Sequence, residues 1–377
     1  STAPRSMKKI RHRKHLWRGD TDSSVYEERA KSSTLSGAQV SLESGGATRI
    51  LGSQVTSPGD IALKASSLEV AEVALKHSQD AKGYSGDLVS GAFFGKNSKS
   101  VGEGHKASGS AIQSGGTLNV VADEVQIRGS KVKSKGDALV ISEKGQLSIE
   151  AAQSESSLSR RENDSKLLGL IGHTREHQEQ RKDVLKSDLS SDSDLRLASA
   201  DEIRVIGSKL EAAKQLQLKA QKDITIGTAE QLHTSTSKQQ DRGFTASAGQ
   251  TQNAGDGKPD SHQYSASVGY NVNTVDTRTS DKKQLASELN GGQVQLISEN
   301  DVTVKGSHAA ANAGDVEVNA KNLNLVAAQN EQSVVTTTTH SGGGLKVSGG
   351  IDALGSAFEG DRKQQVRNDH GSQAQGS

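Results

Sequence analysis

The side chains best suited to chemistry crowd into the stretch KKIRHRKHLWRGD, which holds Lys8, Lys9, Arg11, Arg13, Lys14 and Arg18, the only tryptophan, and the tripeptide Arg18, Gly19, Asp20. Clustered cations create a local positive potential that can capture polyanions. The alternation of Ile10, His12, Lys14 and Leu16 against Lys9, Arg11, Arg13 and His15 reads as a surface strand with a basic face, followed by an exposed turn over Arg18 to Asp22. The stretch is therefore a basic strand first and a polyanion or receptor contact second. Met7, Lys8 and Lys9 resemble the start of a signal peptide, but the residues after them are basic and polar where an apolar core is needed, so that reading is rejected.

Another candidate is HTREH, with His173 and His177 at i and i+4. On a helix these rings would share a face and could hold a metal. The glutamate does not directly follow the first histidine, as the zinc-protease pattern requires, and no third ligand is evident, so a solvated polar segment is the reading and no metal is expected. Cysteine is absent, which removes thiol nucleophiles and cysteine metal sites. Serine and aspartate are abundant because turns need them. No G-x-S-x-G elbow, phosphate loop or dinucleotide glycine pattern occurs in strand-to-helix context. The chain is read as non-enzymatic, with no cofactor. A net charge of +1 and 2% aromatics leave no extended footprint for nucleic acid.

What positions these residues follows from composition and repeats. Only 31% of the 377 residues are hydrophobic, yet 46 Lys plus Arg balance 45 Asp plus Glu, so the chain lacks the charge imbalance of disordered tails. Forty glycines with three prolines suit many tight turns between hydrogen-bonded strands. The scarce apolar residues must be used in a regular way.

Four segments match one another, beginning at Gly37, Gly115, Asp192 and Gly291, and each carries Gly-Ser at one internal position, at Gly52, Gly129, Gly207 and Gly306. These glycines are 77, 78 and 99 residues apart, so similar modules are separated by inserts of unequal length. A finer period lies inside each module: Leu195 and Leu197 recur as Leu216 and Leu218, and Ile203 and Val205 as Ile224 and Ile226, all 21 residues later. Within each run the apolar residues are two apart, the spacing of one strand face. About 21 residues thus make a rung of short strands, and rungs stack in parallel at about 4.8 Å. The expected fold is all-β: a right-handed parallel β-helix of about eight rungs, about 40 Å long, with antiparallel hairpin inserts projecting from the shaft.

The expected organisation is a basic return half of a truncated insert over 1–36, modules over 37–77, 115–152, 192–229 and 291–328, inserts over 78–114, 153–191 and 230–290, and a terminal hairpin insert with a polar tail over 329–377. GFTASAGQ and YSASVGYNV bracket Asp256 and Gly257 as a hairpin turn signal, while the charged insert around Leu167 to Ile171 reads as a short helix or a hairpin.

The modules carry D-x-L-x-L and I-x-V-x-G-S-x-L patterns, and the inserts open with Ala-Gln-Ser-Glu, Ala-Glu-Gln-Leu or Ala-Gln-Asn-Glu. In these features the chain resembles the haemagglutinin repeats of filamentous haemagglutinins and contact-dependent growth inhibition effectors. That resemblance implies a rod segment of a large virulence exoprotein, secreted through an outer-membrane two-partner transporter and displayed on a Gram-negative cell surface. It implies contact with a target-cell or host-cell surface, self-association through hairpins, and, in a growth inhibition effector, help in toxin delivery across the target outer membrane. The competing expectation is a host adhesin that binds sulfated glycan or integrin through Lys8 to Asp20.

Overall fold

The 21-residue offsets of the sequence are the register of stacked strands. Leu195 stands opposite Leu216 and Leu197 opposite Leu218 in one parallel pair, and Ile203 opposite Ile224 and Val205 opposite Ile226 in another. The structure is a computed structural model that describes residues 6–14, 17–87, 93–253, 261–350, 353–359 and 364–376, with side chains described for 10, 18–87, 93–250 and 264–347. Among the described residues there is no helix.

Each rung adds one short strand to an eight-stranded parallel sheet and two to a fourteen-stranded parallel sheet, and together these enclose the core. Three columns of side chains fill it. Ile112, Val132, Leu189 and Leu210 line the first, Leu118, Ala138, Leu195 and Leu216 the second, and Val125, Leu147, Ile203 and Ile224 the third. All are buried. A branched aliphatic side chain every second residue fills so narrow a tube without aromatics, which is why so low a hydrophobic content is enough.

One corner of the shaft alternates between two devices. Gly52, Gly129, Gly207 and Gly306 turn the chain in a single step at φ of +53°, +52°, +56° and +52°. At the intervening rungs the chain leaves as a hairpin with arms Val73–Asp87 and Phe94–Ser108, Ala152–Lys166 and Ile171–Leu185, or Ala229–Asn253 and Ser261–Leu285. A further arm, Gln329–Gly350, follows the last rung. These seven arms, an N-terminal pair, Ser6–Lys14 with Trp17–Glu27, and two C-terminal strands, Ala353–Glu359 and Gln364–Gly376, join in an eleven-stranded antiparallel sheet alongside the shaft. The geometry is commensurate. A hairpin adds two strands, about 9.6 Å of sheet, and two rungs add the same rise to the shaft. One hairpin per two rungs lets both sheets grow without strain.

Several boundaries differ from those expected. The first hairpin leaves at Val73 rather than at 78, and Ala111–Ser114, Asp188–Ser191 and Glu288–Gly291, which were assigned to inserts, belong to the shaft. These strands have four residues and one buried large apolar side chain or fewer, too little for a two-residue period to show. The N-terminal region is not a return half alone, because Ser6–Lys14 and Trp17–Glu27 form both arms of a hairpin. The charged second insert is a hairpin, whose arms neutralise each other through Lys182 and Glu155 at 2.9 Å and Arg161 and Glu176 at 3.2 Å. Its apolar centre is the exposed tip, where Leu167 and Leu168 have positive φ. The Asp256 and Gly257 turn lies outside the described residues.

Candidate functional site

Directly opposed residues of the hairpin sheet form cross-strand rows that alternate between its two faces. The Arg-Gly-Asp tripeptide occupies such rows and not a turn. Arg18, Gly19 and Asp20 lie within the strand Trp17–Glu27, paired on one side with Arg13, His12 and Arg11 and on the other with Gly86, Ser85 and Tyr84. Arg18 donates to Asp20 Oδ2 from Nε at 3.0 Å and Nη2 at 2.7 Å. Two side chains on the same face of one strand have thus found each other, an arrangement that the local sequence does not distinguish from a turn. Lys8, Lys9, Arg11, Arg13 and Lys14 occupy the flanking edge strand, with Lys9 in register with Asp22; their side chains lie outside the described ones.

His173 and His177 are on the strand Ile171–Leu185, where four residues span about 13 Å, so the pair cannot chelate one ion as it would on a helix. His173 Nδ1 instead contacts Asp241 Oδ1 on the next hairpin. Asp241 is held below the usual carboxylate range by its hydrogen bond from Gln239 and then by His173. Among the described residues no group of three or more His, Cys, Asp or Glu is placed to hold a metal ion.

Register also assembles a basic cluster from residues far apart in sequence. Lys82 stands opposite Lys99, and Lys99 opposite Arg161, on three adjacent strands. In the next row on the same face, Tyr84 stands opposite Asn97, and Asn97 opposite Asn163. The two rows line a cavity of about 450 Å³ together with Asp20, which stands opposite Tyr84, and Asp22, which stands opposite Lys82. No local motif marks this cluster, because each of its cations comes from a different hairpin arm. Farther out, the third hairpin outreaches the second: its pairing with it ends at Arg242, and beyond that point Phe244 packs edge-on against Tyr270, with ring centroids 5.3 Å apart, on a face that also exposes Val268, Leu345 and Val347.

The sequence family described as hemagglutinin repeat matches residues 91–169, 168–344 and 268–375. The chain is 28% identical over 353 residues to a hemolysin of Serratia marcescens, covering 92% of the chain and 21% of that protein. It is 27% identical over 266 residues to a hemolysin of Proteus mirabilis, covering 69% of the chain and 16% of that protein. The chain therefore spans about a fifth of these relatives at most. No solved structure matches it significantly.

Proposed function

The chain belongs to the hemagglutinin-repeat family, and from that membership we propose that it is a non-enzymatic rod segment of a large exoprotein secreted to the surface of a Gram-negative cell. The observation that carries the reading is the lock between shaft and hairpin sheet: one hairpin per two rungs gives two sheets of equal rise joined at one corner. Two sheets joined along an axis resist bending more than either alone, which suits a spacer. Export through an outer-membrane two-partner transporter requires an unfolded chain, and a chain without cysteine forms no disulfide before passage. The outer part of the third hairpin, with its exposed apolar face, is the surface we assign to contact with a target or host envelope or to self-association. If the full protein is a growth inhibition effector, this segment assists toxin delivery across the target outer membrane.

The spacer reading is tested by shortening the rod. Ser41 and Glu317 lie in one column, seven rung steps or about 34 Å apart. In a cysteine-free chain, spin labels at Ser41→Cys and Glu317→Cys report that distance directly. Deleting 131–208, two rungs and their hairpin, is expected to leave a folded protein with the labels about 24 Å apart. An unfolded product or an unchanged distance rejects the reading.

A further inference from the structure

The first two hairpins end level with the N-terminal pair: Trp17 stands opposite Asp87, and Phe94 opposite Lys166. The third does not, because its arms have 25 residues where those of the second have 15. The arm Ala229–Asn253 is paired with Ile171–Leu185 only as far as Arg242. Beyond that step, among the described residues, Gly243 to Gly249 have a ladder partner on one side alone, in Ser261–Leu285, and form an open sheet edge about 23 Å long.

An open edge is a template for one more strand, and proteins ordinarily blunt it with charge, proline or a bulge. The edge strand Ser6–Lys14 follows that rule with Lys8, Lys9, Arg11, Arg13 and Lys14. The stretch from Gly243 to Gly249, GFTASAG, uses none of these devices: it has no charged residue, no proline and an unbroken register against its partner strand. From Phe244 to Gly249 every residue is exposed.

The inner end of the edge is marked independently. A cavity of about 410 Å³ at the step is lined by Arg242, His173 and Asn273, and Arg242 Nε, His173 Nε2 and Asn273 Oδ1 are buried without a hydrogen-bond partner. The arginine nitrogen donates and the asparagine oxygen accepts, so the step calls for a group that supplies both acceptor and donor, as a peptide backbone does. In the lining Arg242 and Lys166 balance Asp164 and Asp241, which asks for neither an anion nor a cation.

We propose that the edge from Gly243 to Gly249 is a strand-addition site for an extended, uncharged peptide segment of about seven residues, apolar at alternate positions, whose end fills the cavity beside Arg242. Main-chain hydrogen bonds hold the segment. The alternation follows from the sheet, because Phe244, Ala246 and Ala248 share a face with Tyr270 and Val268, and apolar side chains on an added strand extend that face. The site is the edge of the outer hairpin and is distinct from the apolar face assigned above to envelope contact or self-association.

The test uses the full chain and a capped, fluorescein-labelled peptide, YSASVGYNV, the sequence from Tyr264 to Val272 that pairs with this arm from its other side. Fluorescence anisotropy is expected to show saturable binding. N-methylation of one set of alternate residues, which removes the N–H groups aimed at the edge, is expected to abolish it, and methylation of the other set to leave it within about threefold. Ala246→Lys with Ala248→Lys puts cations on the edge and is expected to weaken binding about tenfold. Leu345→Lys with Val347→Lys, two strands away on the same face, is expected to change it about twofold at most, which separates edge from face. Equal binding by the two methylated peptides, equal losses in the two double variants, or no binding of the unmodified peptide overturns the proposal. So does a dimer, seen in sedimentation equilibrium without peptide binding, that Ala246→Lys with Ala248→Lys dissolves, because it gives the edge to a second copy instead.

Discussion

At the corner where hairpins leave the shaft, a column of single serine hydroxyls holds successive rungs together. Ser110, Ser187 and Ser287 are buried, and each donates to a backbone carbonyl, of Ala71 at 2.6 Å, Glu150 at 2.6 Å and Gly227 at 2.6 Å. They also accept from the amides of Ser53, Ser130 and Ser208, so the column runs past every hairpin root. The three carbonyls also accept from the amides of Gly52, Gly129 and Gly207, so without these hydroxyls it is the Ser53, Ser130 and Ser208 amides that would lose their partners. The Gly-Ser pairs are visible in the sequence, but Ser187 and Ser287 follow Lys186 and Ala286 and carry no such label. The glycine of each pair is required for two reasons: its left-handed backbone, and the closeness of the next hairpin root, since a Cβ at Gly207 would strike Ala229. Gly207→Ala is expected to lower unfolding free energy by about 2 kcal/mol or more from strain and collision together. Gly46→Ala, in an open turn with no neighbour near, is expected to change it little. Equal denaturant midpoints for the two variants would contradict this account of the corner.

Turns between strands are clamped from rung to rung by aspartates. Asp60 Oδ1 accepts from the Thr117 amide at 2.7 Å and its hydroxyl at 2.9 Å, and Asp137 accepts from Ser193 and from the Asp194 amide. Both carboxyls are held below their ordinary value, Asp60 first by the Thr117 amide and Asp137 first by the Ser193 hydroxyl. A carboxyl depressed in the folded state binds its proton more tightly when unfolded, so the unfolded chain gains protons first as pH falls. The stabilisation is complete above the unfolded value of 3.8 and is lost as pH drops below it through the lower folded values. Urea midpoints are therefore expected to hold from pH 7 to about 5 and to fall below pH 4, with Asp60→Asn and Asp137→Asn variants less stable at pH 7 and less sensitive to acid. An acid dependence identical in wild type and the double variant would mean that other carboxylates control it. The hairpin strands are charged and poor in apolar residues, and from Trp17–Glu27 to Gln329–Gly350 they are strands because each has a ladder partner on both sides.

Across the whole molecule, the last rung leaves core positions uncovered. Val316, Leu323 and Leu325 stack on Val294, Val302 and Val304 but are themselves exposed, Leu325 by 73%. Uncovered core positions of this kind are where a further matching layer stacks. This 377-residue chain is expected to self-associate end to end in a concentration-dependent way, and Leu323→Lys with Leu325→Lys is expected to shift it toward monomer in light scattering without loss of strand signal. A wild-type chain that stays monomeric at all concentrations would show that the end is closed by something other than a copy.

The sequence by itself determined the shaft: parallel register makes equal side chains recur at a fixed offset, so the 21-residue period and the two-residue alternation of Leu195, Leu197, Leu216 and Leu218 identify both rung and face. It determined the turn glycines as well, because only a left-handed position repeats a glycine so regularly. What lay between the modules was decided by tertiary structure, since antiparallel neighbours are matched across hairpins of unequal length and leave no constant offset to read. The meeting of Lys82, Lys99 and Arg161 depends on that cross-strand register, whereas the ion pair of Arg18 and Asp20 needs only that the tripeptide is a strand and not a turn. Register is set by the edges of whole hairpins docking in order along the shaft, and no residue's immediate neighbours in the chain record it.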